Sequence, residues 1–230
     1  MAKSSRDCSV RQLRQPRRGA GRPQAGDLDA RQTLLDAALT CFARNGIAST
    51  SIRDLTRQAG VTPAVLHYHF GGKPQLLDAL IAERMLPVLA AVRQPLLQAG
   101  DSLPALVGGF VRGMMAVIRD NPWLPPLWVR EVLCEGGALR DLLVNTVGPQ
   151  LPVQLAERFA QAQCRGELPQ GVDPRLLVAS LVGLTLFPAA GMPVWQQLFD
   201  APHLGEEAIG RHALALLGQG LGGAILETSA

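Results

Sequence analysis

The stretch from residue 51 to residue 70, SIRDLTRQAGVTPAVLHYHF, constrains the fold of this chain more than any other. Ser51 followed three residues later by Asp54 predicts a helix start, because the hydroxyl and the carboxylate can cap free backbone amides reciprocally. Gly60 predicts the end of that helix, since glycine adopts the left-handed conformation that closes a helix. Thr62-Pro63 signals a second start. Two short helices joined by a tight turn are the layout of a helix-turn-helix.

The hydrophobic periodicity gives each predicted helix a buried face and an exposed face. In the first helix, Ile52, Leu55 and Ala59 recur at i, i+3 and i+7 and form one apolar stripe. In the second helix, Leu66 and Phe70 are four residues apart and face the same core. This leaves four residues on its outer face: Pro63, Ala64, His67 and Tyr68. Spacing alone admits two interpretations, a DNA-reading helix-turn-helix or an ordinary helical hairpin in an all-α core.

The residues around this helix pair resemble a known DNA-binding domain. The segment 34–80 contains Asn45-Gly46 at the end of an apolar helix, the run AGVT at 59–62, His69-Phe70, and Gly72-Lys73 ahead of two leucines. In these positions it is similar to the DNA-binding domain of the tetracycline-repressor (TetR) family. The resemblance implies an all-α fold, with an N-terminal three-helix helix-turn-helix domain and a larger helical domain for ligand binding and dimerisation. It favours the DNA-reading interpretation over the hairpin.

Positive charge is concentrated at the N-terminus. Residues 1–26 carry seven lysines and arginines against Asp7, a net charge of +6, whereas the whole chain carries +3 and the remainder therefore −3. Such an arm either follows the phosphates or minor groove of DNA or is a merely solvated tail. We divide the chain into a disordered basic arm at 1–28, the helix-turn-helix domain at 29–72 and a regulatory and dimerisation domain at 73–230.

The resemblance also implies which side chains contact DNA. Contacts to phosphates provide register, and contacts to base edges provide sequence selectivity. The expected phosphate contacts are Ser51, Thr62, His69 and Lys73. The positions expected to read bases or the groove wall are Pro63, Ala64, Val65, His67 and Tyr68, while Arg53 reaches either a base or a phosphate. Val65 is equally compatible with burial. His67 departs from the tyrosine that the family commonly has there, which would change operator preference.

The other helices are predicted from caps, prolines and apolar runs. The first helix is expected over 29–44, with five apolar residues on its buried side: Leu34, Leu35, Ala38, Leu39 and Phe42. A fourth helix begins at Lys73-Pro74, and Pro87 and Pro95 are expected to bend or stop it. In the body, helices are expected over 102–120, 121–133, 138–165, 173–190 and 205–218. Asn121 and Asp173 would cap two of them, and Gly136-Gly137 marks a break.

Methionines, aromatic residues and one arginine of the body form the candidate ligand site. They match positions at which TetR family members line an inducer cavity: Met85, Phe110, Met114, Met115, Trp123, Trp128 and Arg130. An apolar pocket with one or two polar groups is how small-molecule sites are generally built. The alternative for each residue is ordinary core packing, and Arg130 with Glu131 could equally form a surface pair.

The apolar helix over 173–190 resembles the dimerisation helix of the family. Four apolar residues at near-helical spacing are the expected interface: Leu177, Leu181, Leu184 and Phe187. Two-fold pairing would place two recognition helices on a near-palindromic operator, with successive DNA turns about 34 Å apart.

The sequence offers little for other classes of function. Its four histidines, His67, His69, His203 and His212, have no metal-ligand spacing with carboxylates, and neither a nucleophile elbow nor a phosphate loop is present. We therefore expect no enzyme activity, no metal and no cofactor. The widely spaced Cys8, Cys41, Cys134 and Cys164 have no spacing suited to zinc. The absence of a membrane-length apolar run or secretory signal predicts a cytoplasmic protein with no membrane partner.

Residues and resemblance together predict a homodimeric, ligand-responsive, DNA-binding transcriptional regulator. Its expected form is a repressor that a small apolar or amphipathic inducer releases from double-stranded DNA. The alternative is an all-α partner-binding protein whose helix-turn-helix does not read DNA. The basic arm and Lys73 favour the regulator, and a salt-dependent affinity for duplex DNA distinguishes the two.

Overall fold

The computed structural model describes residues 25–147 and 150–221. Within these ranges the chain forms helices and turns without a strand, which confirms the predicted all-α fold. The helices are α1 (Ala25–Asn45), α2 (Ile52–Ala59), α3 (Pro63–Phe70), α4 (Lys73–Leu80), α5 (Leu86–Gln98), α6 (Leu103–Asp120), α7 (Leu124–Trp128), α8 (Arg140–Leu142), α9 (Gln150–Cys164), α10 (Pro174–Ala190), α11 (Met192–Leu198) and α12 (Glu206–Gly220). Three π-helical turns follow α4, α7 and α8, at Ile81–Met85, Val129–Leu133 and Leu143–Val147.

Helices α1 to α4 surround the apolar core of the N-terminal head. All five apolar residues predicted on the inner side of α1 are buried: Leu34, Leu35, Ala38, Leu39 and Phe42. The helix begins at Ala25, four residues before its predicted start, so the last residues of the expected arm are helical. The rest of that arm, residues 1–24, lies outside the described residues.

The head core also includes residues from beyond the predicted domain division at residue 72. Leu76 and Leu80 of α4 are fully buried in it, and Leu127 and Leu139 of the body complete it. Burial of these side chains removes apolar surface from water at the junction of head and body. The head is therefore packed directly against α7 and the loop that precedes α8.

The helix after the recognition helix does not stop at Pro87, contrary to one of the two predicted outcomes. A proline ring normally clashes with the carbonyl four residues earlier and lacks an amide to donate. Here the π-helical turn at Ile81–Met85 widens the helix directly before the proline, and the Leu86 amide donates to the Ile81 carbonyl. The α4–α5 helix thus continues to Gln98, three residues past Pro95.

Two arginine-centred clusters fasten α1 to this π-helical turn. The Arg31 guanidinium donates to both carboxylate oxygens of Glu83 at 2.6 and 2.5 Å. Arg84 donates to Asp36 at 3.1 and 3.0 Å and to Gln32 at 2.6 Å. The bidentate pair fixes orientation as well as distance, because two parallel hydrogen bonds constrain both planar groups.

The Arg31–Glu83 pair gives a pH-dependent contribution to stability. The hydrogen bond from Arg31 lowers the pKa of Glu83 below its ordinary value of 4.5. A lowered folded-state pKa stabilises the fold above the unfolded-state pKa, and this stabilisation is lost as the pH falls through the folded-state value. We expect Glu83→Gln to cost about 1 kcal/mol or less at pH 7, because both partners are partly solvent-exposed.

Urea unfolding of wild type and Glu83→Gln, repeated from pH 7 into the acid range, measures this contribution. The difference between the two proteins should shrink as the pH falls below 4.5, the ordinary glutamate value. Glu207→Gln is the matched control, because its pair with Arg211 spans 3.6 Å between largely exposed side chains. A difference for Glu83→Gln that does not change with pH would contradict the assignment.

Helix α6 is the centre of the body. Its apolar side chains, including Leu106, Val107 and Phe110, are buried beneath α5, α10 and α12, and α9 packs on α10. The Ser102 hydroxyl accepts from the Ala105 amide at the start of α6, and the Asp173 carboxylate accepts from the Arg175 amide at the start of α10. Both helix starts are those predicted from the sequence.

Other details of the body differ from the prediction. Asn121 does not cap α7: its side-chain amide donates at 3.0 Å to the Val117 carbonyl in the last turn of α6, and its backbone amide donates at 3.2 Å to the Ile118 carbonyl. The helix expected over 138–165 is divided into α8 with its π-helical turn and α9, and residues 148–149 between them are not described. Helix α11 was not predicted. It is held beneath α10 by Trp195, whose indole N–H donates at 2.8 Å to the Pro188 carbonyl.

Among the described residues, no single helix has the length and hydropathy of a membrane span. The pair Pro174–Ala190 and Met192–Leu198 meets that test only when counted together, across a bend of 68°.

Candidate nucleic-acid interface

The first helix of the predicted pair begins with a complete capping box. The Ser51 hydroxyl accepts from the Asp54 amide at 3.2 Å, and the Asp54 carboxylate accepts from the Ser51 amide at 3.1 Å. The Ser51 hydroxyl also donates to that carboxylate at 2.6 Å, which lowers the pKa of Asp54. Gly60 ends the helix with φ +68°, in the left-handed region that the turn requires. The geometry follows the sequence signals at both ends.

The second helix presents a short, exposed outer face. Leu66 and Phe70 are buried in the head core, as the spacing predicts. The four predicted outer residues are all exposed: Pro63, Ala64, His67 and Tyr68. Tyr68 has 74% of its surface exposed. Val65 is half-buried against the head core, between the two alternatives that its position allowed.

The start of α3 has polar groups that can bind a ligand. Thr62 is the N-cap residue and is exposed, and its side chain makes no capping hydrogen bond. The amides in the first turn of a helix carry partial positive charge and favour a phosphate. The Thr62 hydroxyl is therefore placed to share a phosphate with these amides.

The two histidines of α3 have different surroundings. The His67 ring lies with Nδ1 2.8 Å from the Gly71 carbonyl, so Nδ1 donates and Nε2 remains as the second polar atom of an exposed ring. His69 is half-buried beside two aromatic rings, 5.0 Å from that of Tyr68 and 6.2 Å from that of Phe70 between centroids. Of the two, His67 is the one that faces outward with Tyr68.

Lys73 lies at the N-terminus of α4 and points towards the turn between α1 and α2. Its ammonium donates to the Ile47 carbonyl at 2.5 Å and to the Ala48 carbonyl at 3.4 Å. The side chain therefore holds this turn in place, while its positive charge stays near the start of α2. Arg53 and Ser51, in contrast, are exposed.

The sequence of this chain is similar to those of known helix-turn-helix regulators. Residues 34–80 match the bacterial regulatory proteins of the tetR family. The chain is 27% identical over 164 residues to the HTH-type transcriptional regulator SrpR of Pseudomonas putida, covering 68% of this chain and 71% of SrpR. It is 24% identical over 157 residues to the regulator UidR of Escherichia coli K12, covering 67% and 77%. The chain belongs to the tetR family.

The similarity to solved structures includes the body as well as the head. KstR2 of Mycobacterium tuberculosis superposes with a TM-score of 0.66 at 19% identity, over 83% of this chain and 94% of KstR2. GusR of Salmonella enterica gives a TM-score of 0.53 at 28% identity, over 84% and 96%. The protein is thus a TetR-family transcriptional regulator with a helix-turn-helix DNA-binding domain, followed by a helical body of the same architecture.

The body of this regulator contains a large apolar cavity of about 970 Å³ between α7, α9 and α10. A smaller cavity of about 260 Å³ adjoins it and extends towards α5 and α6. The two cavities share a wall of six residues, Trp128, Leu143, Pro152, Val178, Val182 and Leu186. The polar groups of the larger cavity are Glu157, Gln163 and Arg175.

Four of the seven predicted ligand residues line these cavities or an adjoining one. Phe110 and Met114 line the smaller cavity, Trp128 lines both, and Met85 lines a 30 Å³ space beside Trp128. Met115 instead faces a groove between α6 and α12. Trp123 and Arg130 line none of these spaces. The α9 wall was missed, because Val153, Ala156 and Ala160 carry no feature that separates a cavity wall from core.

The predicted dimer residues do not form one exposed face. Leu177 and Leu181 are buried in the core of the protomer, and Leu184 is half-buried, because this side of α10 packs inward. Phe187 is exposed at 68% of its surface. The stripe of α10 that faces outward consists of Leu176, Ala179, Ser180, Gly183 and Phe187, and three of these residues, Ala179, Gly183 and Phe187, also line the open side of the larger cavity.

Proposed function

We propose that this protein is a homodimeric repressor that a small apolar or amphipathic molecule releases from a near-palindromic operator. The observation that carries the proposal is the outer face of α3. Tyr68 and His67 project from a helix that Leu66 and Phe70 anchor in the head core. Side chains on an anchored helix can make base contacts without a large loss of conformational entropy.

The ten proposed DNA contacts fall into two groups in the structure. Seven are exposed and ready to meet DNA: Ser51, Arg53, Thr62, Pro63, Ala64, His67 and Tyr68. Val65, His69 and Lys73 are half-buried and act through the shape and charge of the head. The Lys73 ammonium has a third donor beyond its two carbonyl partners, which a phosphate oxygen would accept.

The proposed inducer is largely apolar. The two adjoining cavities are walled mainly by aliphatic and aromatic side chains. The Gln163 amide already donates to the Pro169 and Val172 carbonyls, and Arg175 is paired with Asp173. Glu157 lies in the same wall, and its carboxylate can accept hydrogen bonds, so a donor or cationic group at one end of the molecule fits it.

The outward stripe of α10, which borders the larger cavity, is the proposed dimer surface. Small residues at its centre, Ala179, Ser180 and Gly183, allow two helices to approach closely between the larger Leu176 and Phe187. We expect Phe187→Glu to convert the dimer into a monomer at micromolar concentrations, because a charge would be buried without a partner in the interface. Light scattering coupled to gel filtration measures the mass.

Leu198→Glu is the control for the dimer prediction. Leu198 is similarly exposed, at 71% of its surface, but lies on α11 outside the stripe. A Phe187→Glu protein that keeps the wild-type mass would contradict the assignment of the stripe.

One binding experiment tests the proposed function. Duplexes from upstream of its own gene, or selected from a random library, are titrated with the protein while fluorescence anisotropy is recorded at several salt concentrations. We expect a near-palindromic site to bind about 1,000-fold more tightly than a scrambled duplex. The logarithm of its affinity should fall linearly with that of the salt concentration. Equal, weak binding to every duplex would instead favour a partner-binding protein with a non-reading helix-turn-helix.

A further inference from the structure

Glu131 is the one glutamate among the described residues that is buried, at 5% exposure, and it lies between head and body. It belongs to the π-helical turn Val129–Leu133 that follows α7. One carboxylate oxygen accepts from the Ile47 amide at 2.8 Å, and the other accepts from the Ala138 amide at 3.1 Å. A buried carboxylate is costly unless such donors compensate it. Both oxygens are thus committed, one to the head and one to the body.

The Ile47 peptide is held from both sides. Its amide donates to Glu131 of the body, and its carbonyl accepts from Lys73 at the start of α4. The neighbouring Gly46 lies so close that a Cβ atom there would be 3.1 Å from both the Arg130 side chain and the Glu131 carboxylate. The turn between α1 and α2 therefore sits directly on Glu131.

The segment that carries Glu131 also forms the wall of the large cavity. Trp128, Val129 and Leu133 line the 970 Å³ space. Leu127 and Glu131, four residues apart, contact the head instead, since Leu127 is buried in the head core. One short helical segment thus has a cavity face and a head face, so it cannot rotate at one face without moving the other.

We infer that Glu131 is the positioning residue that ties the DNA-reading head to the cavity wall, and that a ligand in the cavity weakens DNA binding by drawing Glu131 away from the Ile47 amide. This inference rests on the proposed function and specifies how ligand binding in the cavity reaches the DNA-binding head. A ligand that displaces Trp128 and Val129 binds the two positions of the segment with different free energies. Such a difference is what allows a ligand to shift the protein from one position of the segment to the other. Release of the Ile47 amide frees the turn that places the start of α2.

Glu131→Gln tests the link with little change in shape. Glutamine offers one acceptor and an NH2 group, so it cannot accept from both the Ile47 and the Ala138 amides. Glu135→Gln, an exposed glutamate four residues further on, removes the same charge without touching the head. Glu131→Asp keeps both acceptors on a shorter chain and serves if the glutamine variant unfolds.

The readout that needs no DNA is amide hydrogen exchange at Ile47, followed by NMR. The probe for the cavity is the apolar dye 1-N-phenylnaphthylamine. We expect saturating dye to accelerate exchange at Ile47 about tenfold in the wild type, within the usual range of allosteric coupling. Glu131→Gln should exchange faster without dye and respond little to it, whereas Glu135→Gln should behave as wild type. In Ala160→Phe, whose larger side chain projects into the cavity, the dye should have a smaller effect.

DNA binding provides the second readout. The dye should weaken operator binding by the wild type about tenfold, and Glu131→Gln should start with weakened binding that the dye no longer changes. An Ile47 exchange rate that saturating dye leaves unchanged in the wild type overturns the inference, as does a wild-type dye response in Glu131→Gln. If wild type fails to select any operator while the exchange results hold, the proposed function fails and the link stands.

Discussion

Gly137→Ala is expected to destabilise the protein by about 3 kcal/mol, the upper range for forcing extra atoms into a packed site. A Cβ atom at this position would lie 2.3 Å from the Glu131 carbonyl oxygen and 2.5 Å from its carbon. Both contacts are to backbone, so a change of rotamer cannot relieve them. The loop must open instead, at the cost of the hydrogen bond from the Leu139 amide to the Glu131 carbonyl, now 3.0 Å.

The surrounding contacts explain why the loop cannot yield easily. Arg140 donates to the carbonyls of Val132, Leu133 and Cys134 at 2.7 to 3.0 Å and so closes the end of the π-helical turn. Displacement of Glu131 would also strain its hydrogen bond to Ile47. We therefore expect weaker DNA binding by Gly137→Ala in addition to its lower stability.

Urea unfolding measures the loss, and Gly136→Ala is the matched control. Gly136 has φ +77° and open space around the position of a Cβ, so its substitution carries only the cost of a left-handed backbone, about 1 kcal/mol. Equal losses for the two alanine variants would show that the tight approach at Gly137 does not exist in solution.

Tyr68→Ala is expected to produce the largest loss of function without a loss of fold. Its ring is the most exposed aromatic side chain of the head, at 74%, so unfolding should change by less than about 0.5 kcal/mol. If Tyr68 contacts bases, removal of its side chain should cost about 1 to 3 kcal/mol of binding, or roughly tenfold to more than a hundredfold in affinity.

Anisotropy titrations with matched and singly mismatched duplexes separate the possible roles of Tyr68. Loss of a base contact relaxes selectivity at one position of the site, whereas loss of a phosphate contact weakens binding to all duplexes alike. Tyr68→Phe keeps the ring and reports on the hydroxyl alone. Arg119→Ala, an exposed residue of the body, should bind as the wild type does. Wild-type affinity in Tyr68→Ala would remove α3 from the proposed reading surface.

The proposed role of Glu131 connects the large cavity to the DNA-binding head. In a TetR-family regulator, a ligand changes DNA binding only if it favours one arrangement of head and body over another. The bidentate Arg31–Glu83 pair and the Glu131–Ile47 hydrogen bond fasten the head at two separate places. The large cavity is lined by residues of the Glu131 segment and by none of the π-helical turn that carries Glu83.

Much of the local structure of this protein could be predicted from its sequence. The capping box at Ser51, the turn at Gly60 and the N-cap at Asp173 involve residues only a few positions apart, and each has the predicted geometry. The buried face of α1 followed from helical periodicity, since its buried residues recur at spacings of three and four: Leu34, Leu35, Ala38, Leu39 and Phe42. Interactions between near neighbours leave such signatures because the chain makes them in any helix that begins or ends there.

Only the tertiary structure decided the rest. Helix α10 is apolar on most sides, so periodicity did not reveal that Leu177 and Leu181 point inward while Phe187 points outward. The partners Glu131 and Ile47 are 84 residues apart in the chain, and each is unremarkable alone. The cavity exists because α7, α9 and α10 do not fill the space between them. Such features depend on how whole helices pack, and packing is set by many distant side chains together rather than by any local pattern.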